Sequence, residues 1–584
     1  MNTLRRVLDK SFVPENNFLV LMAVGVGIGA ALLGLIFRYT IDLFTECFFS
    51  GGRFVFGGFL NDYYIVLLPF IGGLLVGPLI YFCAKEAKGH GVPEVMAAVA
   101  VKGGKIRPRI VLVKCLASAL TIGSGGSAGA EGPIVQIGSG FGSTIAQVFH
   151  LSEERMKTLV CCGAAAGIAT VFNAPIAGVF FALEVISGQF STSFFSLTVL
   201  SSVTASVIAR AVWWGNSAVF AADYSLVDYR EIFIYVVLGM LAGIFAVFEI
   251  KFMYYIEHFF ERLNLREYFK PALGGLLVGL IGLQFPEILG TGYGPIQAAL
   301  AGKLAFWLLA ALVFVKLLAV SLTLGSGGSG GVFAPSLFMG AMLGGMVGII
   351  ANSIFPQITA NPGAYALVGM GAVFAGAARA PITSMIMLFE MTNDYRIILP
   401  LMGACVTSYI VANHLFGESI YTLKLKRRGI NLRQGIEKGI IESLSVADVM
   451  TKEVETASAN INVSEMNRVF ERSRHMGFPV LQEGQLVGII TYLDIRKAHD
   501  QGLDNKTVGE IMNTELMVTF PDENLSEALK KFGLRGIGRL PVVDRNNHAK
   551  IEGILTRTDI IRAYNKRLLK TEIAKTEIVK TEDD

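Results

Sequence analysis

The sequence predicts a polytopic all-α membrane protein, a repeat of broken and tilted helices, followed by a soluble α/β module. Three observations predict this. Hydrophobic residues make up 53% of the 584 and charged residues 16%, with a mean hydropathy of +0.56, too apolar for a water-soluble chain of this length. Charge is also unevenly spread: from Pro271 to Ile350 only Glu287, Lys303 and Lys316 carry one, whereas beyond Tyr421 a charge comes every few positions. Finally, apolar stretches interrupted by glycine and proline recur in matching order in the two halves of the apolar part.

In chain order, spanning segments are expected near 18–37, 64–84, 191–212, 231–249, 272–284, 304–322, 338–353 and 397–416. A full crossing needs about 20 apolar residues. The stretches 89–101, 109–146, 158–186, 290–301, 325–337 and 364–391 are too short or too broken by glycine to cross alone. The first apolar run, Phe18 to Phe37, is long enough to span and others follow it, as expected of a retained span rather than a cleaved leader. Basic clusters at Arg5/Arg6/Lys10, Lys102/Lys105/Arg107/Arg109 and Lys424/Lys426/Arg427/Arg428 read as positive-inside flanks, so both ends are expected on the cytoplasmic side, with a plasma (inner) membrane the expected location. A net charge of +4 gives no signal for a nucleic-acid partner. Cys47, Cys83, Cys115, Cys161, Cys162 and Cys405 lie in or near apolar segments without metal-ligand spacing, so neither a metal site nor a disulfide framework is expected.

The stretch Gly123-Ser124-Gly125-Gly126-Ser127-Ala128-Gly129-Ala130-Glu131-Gly132-Pro133 organises the apolar part. Small residues let the backbone turn, and proline suits a helix start because its missing N–H costs nothing there. A helix may break at membrane depth only where protein covers it or where it lines a cavity. Helix N-termini attract anions through free N–H groups and the macrodipole. The expectation is an anion site at membrane depth for which Glu131 competes. Ser124, Ser127, Ser326 and Ser329 read as small packing residues, and no glycine stretch has the Gly-Lys-Ser/Thr ending of a nucleotide phosphate loop.

Three matches support an internal duplication. Gly89-His90-Gly91-Val92-Pro93 resembles Gly290-Thr291-Gly292-Tyr293-Gly294-Pro295, an offset of 290 − 89 = 201. The organising stretch resembles Gly325 to Pro335, with 335 − 133 = 202, and Asn173-Ala174-Pro175 through Glu184 resembles Arg379-Ala380-Pro381 through Glu390, with 390 − 184 = 206. Sequence does not give the sense of the repeat; an inverted one would aim both sets of helix starts at the midplane. Past Tyr421 a second, shorter duplication begins. Val446-Ala447-Asp448-Val449-Met450, Gly477 to Leu481 and Gly488 to Asp494 recur as Val508 to Met512, Arg539 to Asp544 and Gly553 to Asp559. Lys-Thr-Glu, repeated at 570, 575 and 580, reads as a solvated tail.

Together these motifs resemble the CLC family of chloride channels and proton-coupled chloride transporters, followed by a pair of CBS modules, over roughly residues 15–425 and 443–566. Gly129-Ala130-Glu131-Gly132-Pro133 matches the family's gating-glutamate motif and Gly331-Val332-Phe333-Ala334-Pro335 its second anion motif; Phe389 to Tyr395 matches a further stretch, and Tyr421 the pore tyrosine. The resemblance implies a cytoplasmic segment (1–17), a transmembrane domain (18–425, halves 18–215 and 230–425), a linker (426–442), CBS modules (443–504 and 505–566) and a tail (567–584). It further implies a homodimer in the bilayer with an inverted repeat and a pore in each subunit, and a transport protein rather than an enzyme. Chloride would be cradled by the backbone around Gly331-Val332-Phe333 and Glu131-Gly132, with the Tyr421 hydroxyl on the inner side and Glu131 as gate. Amides and a hydroxyl can replace water without a fixed cation that would hold the ion too tightly.

Two departures matter. His90, with Gly91, stands where the family usually has a pore serine, and imidazole can donate a hydrogen bond or carry charge; it either faces the anion or turns aside for a backbone amide. Val185 stands where exchangers commonly carry an inner glutamate, which leans the reading toward passive, channel-like chloride conduction, with proton-coupled antiport the alternative. Any proton route would then use Glu131 and Glu184, although Glu184 reads more readily as a helix anchor or subunit contact. In the CBS pair, Thr491 with Asp494 and Thr556 with Asp559 match the positions that bind adenine nucleotides, so ATP, ADP or AMP is the expected ligand if the pair binds one; no other cofactor is implied. A CBS-regulated cation transporter would need acidic clusters facing inward, and the spans offer few carboxylates beyond Glu131, Glu184 and Glu390. A tethered nucleotide sensor would have no use for broken helices.

Overall fold

A computed structural model describes residues 15–430 and 444–565 apart from 189–191, 216–217, 221–223, 225, 474, 536 and 564, and the chain divides after Ile430 into two compact units. Most of the N-terminal segment, the linker from 431 and the Lys-Thr-Glu tail lie outside the described residues. The first unit is helical. Its first half contains α1 (Glu15–Glu46), α2 (Tyr64–Cys83), α3 (Val92–Val101), α4 (Arg109–Gly123), α5 (Glu131–Val148), α6 (Glu153–Phe172), α7 (Pro175–Phe181, continued by a π-helical turn to Ser187) and α8 (Thr192–Ala209). The second half repeats the order: α9 (Glu231–Arg262), α10 (Lys270–Gln284), α11 (Tyr293–Leu300), α12 (Phe306–Gly325), α13 (Phe333–Ile354), α14 (Pro362–Ala378), α15 (Pro381–Thr392) and α16 (Ile398–Leu415). An extra short helix, Gly52–Leu60, lies between α1 and α2, and α17 (Thr422–Arg427) closes the unit.

Among the described residues, eight helices are long and apolar enough to cross a membrane. Large apolar side chains such as Leu21, Leu32, Ile36, Phe233 and Trp307 point outward, as a hydrocarbon solvent requires and water does not. Two expectations about the spans need correction. The stretch 158–186 is not broken throughout, because α6 is a continuous helix of 20 residues. Its Gly163 is a contact surface rather than a break: a Cβ there would strike the Gly138 carbonyl of α5, and one on Gly138 would strike that of Gly163, the close approach that small residues permit between membrane helices. Conversely α10, expected to span, has only 15 residues, about 22 Å of helix. The stretch 109–146 is two helices, and 325–337 is a break plus the opening turn of α13.

The halves touch through reciprocal contacts, as a two-fold relation demands. Gly129 and Gly331 exchange backbone hydrogen bonds of 2.8 and 2.6 Å in an antiparallel bridge. The Ser127 amide donates to Thr323 Oγ1, and the Ser329 amide to Thr121 Oγ1. Lys114 Nζ binds the carbonyls of Ala87 and Gly89, while Lys316 Nζ binds those of Ile288 and Gly290. Each buried lysine thus holds its own half's loop before a short helix, α3 or α11. This is the inverted repeat, its equivalent segments running in opposite directions where they meet.

The tips of α7 and α15 are capped across the same relation. Glu390 accepts from the amides of Ile176 and Ala177 at 2.9 and 2.7 Å. Glu184 accepts from those of Ile382 and Thr383 and from the Thr383 hydroxyl, at 3.2, 2.8 and 2.6 Å. Each carboxylate therefore satisfies two orphan amides of the opposite half and sits at the positive end of a helix. Replacing Glu184 with alanine should cost roughly 1–3 kcal/mol, read as a lower unfolding temperature in detergent; glutamine, which keeps one acceptor, should cost less.

In the second unit, β1 (Ala457–Ser458), β2 (Gly477–Gln482) and β3 (Gln485–Thr491) form one sheet and β4 (Arg539–Val543) pairs with β5 (Ile551–Thr556) in another. The two sequence repeats exchange their opening segments. Val446 is buried with Leu525, Phe532, Leu540 and Leu555 of the second repeat, and its amide donates to Glu523. Val508 is buried with Val463, Phe470, Phe478 and Ile490 of the first, and its amide donates to Ile461. Neither repeat completes a core alone, so the pair folds as one body.

Candidate functional site

The site lies where the tips of α5 and α13 meet. In α5 the first helical bond runs from the Ile134 amide to the Ala130 carbonyl, and in α13 from Ser336 to Val332. Pro133 and Pro335 have no N–H, so the amides left without a helical partner are those of Glu131 and Gly132 on one tip and Phe333 and Ala334 on the other. Two positive helix ends and four outward amides converge on one buried place, a ready anion site.

A carboxylate already stands there. Glu131 is 5% exposed, and its side chain folds back over the two glycine strands: a Cβ on Gly331 would come within 2.8 Å of Oε2, and one on Gly129 would overlap it. Tyr293 donates to Oε1 at 3.4 Å. The carboxylate lies within reach of the amides of Glu131 and Ala334, while Oε2 makes no hydrogen bond of ordinary geometry.

The expected anion-site residues converge here. The Gly132 backbone lies directly on the His90 carbonyl and beside the Gly331 Cα, leaving no room for a side chain, and Gly91 is packed on the Gly132 carbonyl. The His90 ring is buried, 5.8 Å from the Tyr421 ring, with Nδ1 unpartnered. Tyr421, 2% exposed, also meets Phe181 at 6.3 Å. Phe333, beside Val332, packs between Phe172 and Phe374 at 5.8 and 4.4 Å. On the side of α17, Lys424, Lys114 and Arg428 are the charges facing His90, and Arg428 pairs with Glu94 at 2.6 Å. This makes an electropositive approach to the tips. Glu184 stands apart from the constellation, both its oxygens engaged at the α15 tip.

Sequence reasoning passed over four residues that shape this region: Lys114, Lys316, Tyr293 and Glu249. A signal existed for the lysines, since each is a charge within an apolar run at an offset of 316 − 114 = 202, and intramembrane charges mark function by default. Lys316 lies 5.0 Å over the Phe338 ring and is the cation that acts on Glu131.

In the second unit, the Thr491 hydroxyl donates to Asp494 Oδ2 at 2.5 Å and that of Thr556 to Asp559 Oδ2 at 2.6 Å. Thr491 and Asp494 form a complete helix capping box, as do Ser445 with Asp448 and Thr507 with Glu510. Helix capping alone therefore accounts for the Thr-x-x-Asp spacing.

Comparison with known proteins gives the family and the fold. The family described as voltage gated chloride channel matches residues 72–413, and CBS domains match 446–500 and 508–566. A putative chloride channel protein ClcB-like of Ralstonia nicotianae is 37% identical over 62% of this chain and 85% of its own length. The H(+)/Cl(-) exchange transporter ClcA of Yersinia pestis is 32% identical over 73% of this chain and 90% of its own. The crystal structure of a slow cyanobacterial Cl-/H+ antiporter superposes with a TM-score of 0.65 at 28% identity, covering 72% of this chain and 99% of that one.

Proposed function

Because this chain belongs to the voltage gated chloride channel family and carries two CBS domains, we propose that its anion transport is an exchange of chloride for protons at Glu131. The observation that carries the reading is the Glu131 carboxylate lying at the joined tips of α5 and α13, where an anion would sit. Chloride can take the place only when the carboxyl leaves, and taking up a proton removes the charge that holds it there. Chloride entry and protonation of Glu131 are thus linked at one position. The lean toward channel-like conduction rested on Val185 alone; the similar proteins named as exchangers, ClcA and the cyanobacterial antiporter, support the coupled reading instead.

In this reading chloride is held by the amides of Gly132, Val332 and Phe333 with Gly331 giving close approach, and His90 and Tyr421 offer polar groups on the α17 side, which the basic residues of that helix make the cytoplasmic side. Two copies in one membrane, each with its own site, form the working unit. The test is the reversal potential of the purified full-length chain in a planar bilayer under opposed chloride and proton gradients. A potential that shifts with pH supports exchange; one that stays at chloride's equilibrium value means a channel.

Adenine nucleotide at the CBS pair is a second element of the proposal. Each capping box engages one oxygen of Asp494 or Asp559, so the other is the group a ribose hydroxyl would meet, beside Thr491 or Thr556. Titrating the full-length chain with ATP, ADP and AMP by calorimetry should show saturable binding that Asp559→Asn weakens; absence of heat with all three removes the nucleotide from the account.

A further inference from the structure

Exchange requires a proton to reach Glu131 from the inner side, and among the described residues of the helical unit three carboxylates are fully buried, Glu131, Glu231 and Glu249. Two have evident employment. Glu131 lies at the helix tips, where the half-buried Glu184 and Glu390 do not reach because each uses both oxygens on the amides of a helix start. Glu231 accepts from the Ala360 amide and Tyr235 on Oε1 and from the Val227 amide on Oε2. The third, Glu249, lies between Phe248 and Ile250 in α9, is 2% exposed, and leaves Oε2 without any hydrogen bond.

Its other oxygen faces the site. Glu249 Oε1 is 2.6 Å from the hydroxyl of Ser336, which is also 2.9 Å from the Val332 carbonyl. Ser336 lies in the opening turn of α13, the helix whose tip holds the Glu131 carboxylate. A hydroxyl has one hydrogen, and a carbonyl oxygen cannot donate. Both short contacts are full hydrogen bonds only when the Glu249 carboxyl carries a proton and donates it to Ser336 while Ser336 donates to Val332. The arrangement is that of a carboxylic acid.

The surroundings suit a proton carrier. Tyr421 is within electrostatic reach of both Glu131 and Glu249. Further along α9, Tyr254 donates to the Ile420 carbonyl at 2.7 Å, and Glu257 meets Lys424 at 4.0 Å. Glu257 is two turns from Glu249 on the same face, about 12 Å nearer α17. The ionisable groups on the helices packed against α9 are held elsewhere or are distant from this face. Lys316 of α12 binds the carbonyls of Ile288 and Gly290. Tyr365 of α14 stacks on Tyr235, and Arg379 after it binds the carbonyls of Ala412 and Phe416. On α16, Cys405 contacts Ser384, Tyr409 is half-buried, and His414 is exposed.

We propose that Glu249 is the inner proton-holding group, receiving a proton from the α17 side and passing it to Glu131 as chloride displaces that side chain. In the step, the Glu249 O–H bond breaks and a Glu131 O–H bond forms, with the proton carried by intervening water or hydroxyl. A proton from the inner solution, entering past Glu257, then restores Glu249. The inference rests on the exchange reading above.

The test measures chloride efflux and proton uptake in parallel from liposomes holding the full-length chain, its Glu249→Gln variant and its Glu249→Asp variant. Glutamine keeps the shape and the contact to Ser336 but cannot carry a proton. It should cut proton uptake at least about tenfold while chloride efflux persists, and aspartate should restore part of the uptake. Proton uptake in Glu249→Gln at the ratio of the unaltered protein overturns the assignment and leaves exchange standing. A parallel loss of both fluxes and of thermal stability in Glu249→Gln and Glu249→Asp overturns it in favour of a packing role. An unaltered chain that moves no protons overturns the exchange reading and this inference together.

Discussion

Glutamine at position 131 should abolish proton movement while chloride continues to cross. In the proposed exchange the carboxylate is the group that both ions contest, and glutamine is its neutral, permanently unprotonatable copy. In liposomes, proton uptake driven by a chloride gradient should fall to the level of empty vesicles. In bilayers, the reversal potential should move to chloride's equilibrium value and stay there when the pH of one side is changed. Alanine should behave likewise but conduct faster, because the side chain that fills the joined tips is gone as well as its charge. Persistent pH dependence in the glutamine variant would exclude Glu131 as the gate. The size of the effect follows from geometry: the orphan amides of α5 and α13 point at one place, so one side chain can occupy or vacate the site.

A single methyl at Gly331 should evict that side chain. A Cβ there would lie 2.8 Å from Glu131 Oε2, 2.8 Å from the Gly132 amide and 3.2 Å from the Gly129 carbonyl. Backbone on both sides is fixed by the Gly129–Gly331 bridge, so the carboxylate is the atom group free to move. Gly331→Ala should therefore flatten the dependence of chloride flux on pH, with some loss of stability from crowding against the Gly132 amide, about 1–3 kcal/mol. The decisive comparison is a double-mutant cycle: in a Glu131→Ala background the same methyl should no longer alter the pH dependence, and only its crowding of the Gly132 amide should remain. The coupling between the two positions should fall within roughly 0.5–3 kcal/mol, the range for residues in contact. Additive effects would mean that Gly331 acts through packing alone.

Much of this was legible in the chain. The duplication, the breaks at Gly123–Ala130 and Gly325–Val332, and the lone acid before Pro133 are local patterns, and each has a local physical cause. Where the reading failed, the cause was also physical. In α6, Gly163 to Gly167 reads as a break because glycine is a poor helix former in water; in the fold its absent side chain is what α5 packs against. The Thr-x-x-Asp pairs did not fail in this way: they cap their helices, and the spacing that helix capping requires is also the one read as a ligand position.

By itself the sequence determined that the chain spans a membrane, that its spanning part is doubled, and that one carboxylate stands beside a glycine-rich helix start. Those facts follow from composition and from residues adjacent along the backbone. Only the tertiary structure decided which starts converge, that Glu184 and Glu390 cap each other's half, that the CBS repeats exchange their opening segments, and that Glu249 faces Ser336. Within the helical unit these depend on which face of an almost uniformly apolar helix turns inward, and in the CBS pair on which repeat's core an opening segment enters. A helix apolar on every side carries no periodic signal of its buried face, so that choice is made by packing between segments far apart in the chain.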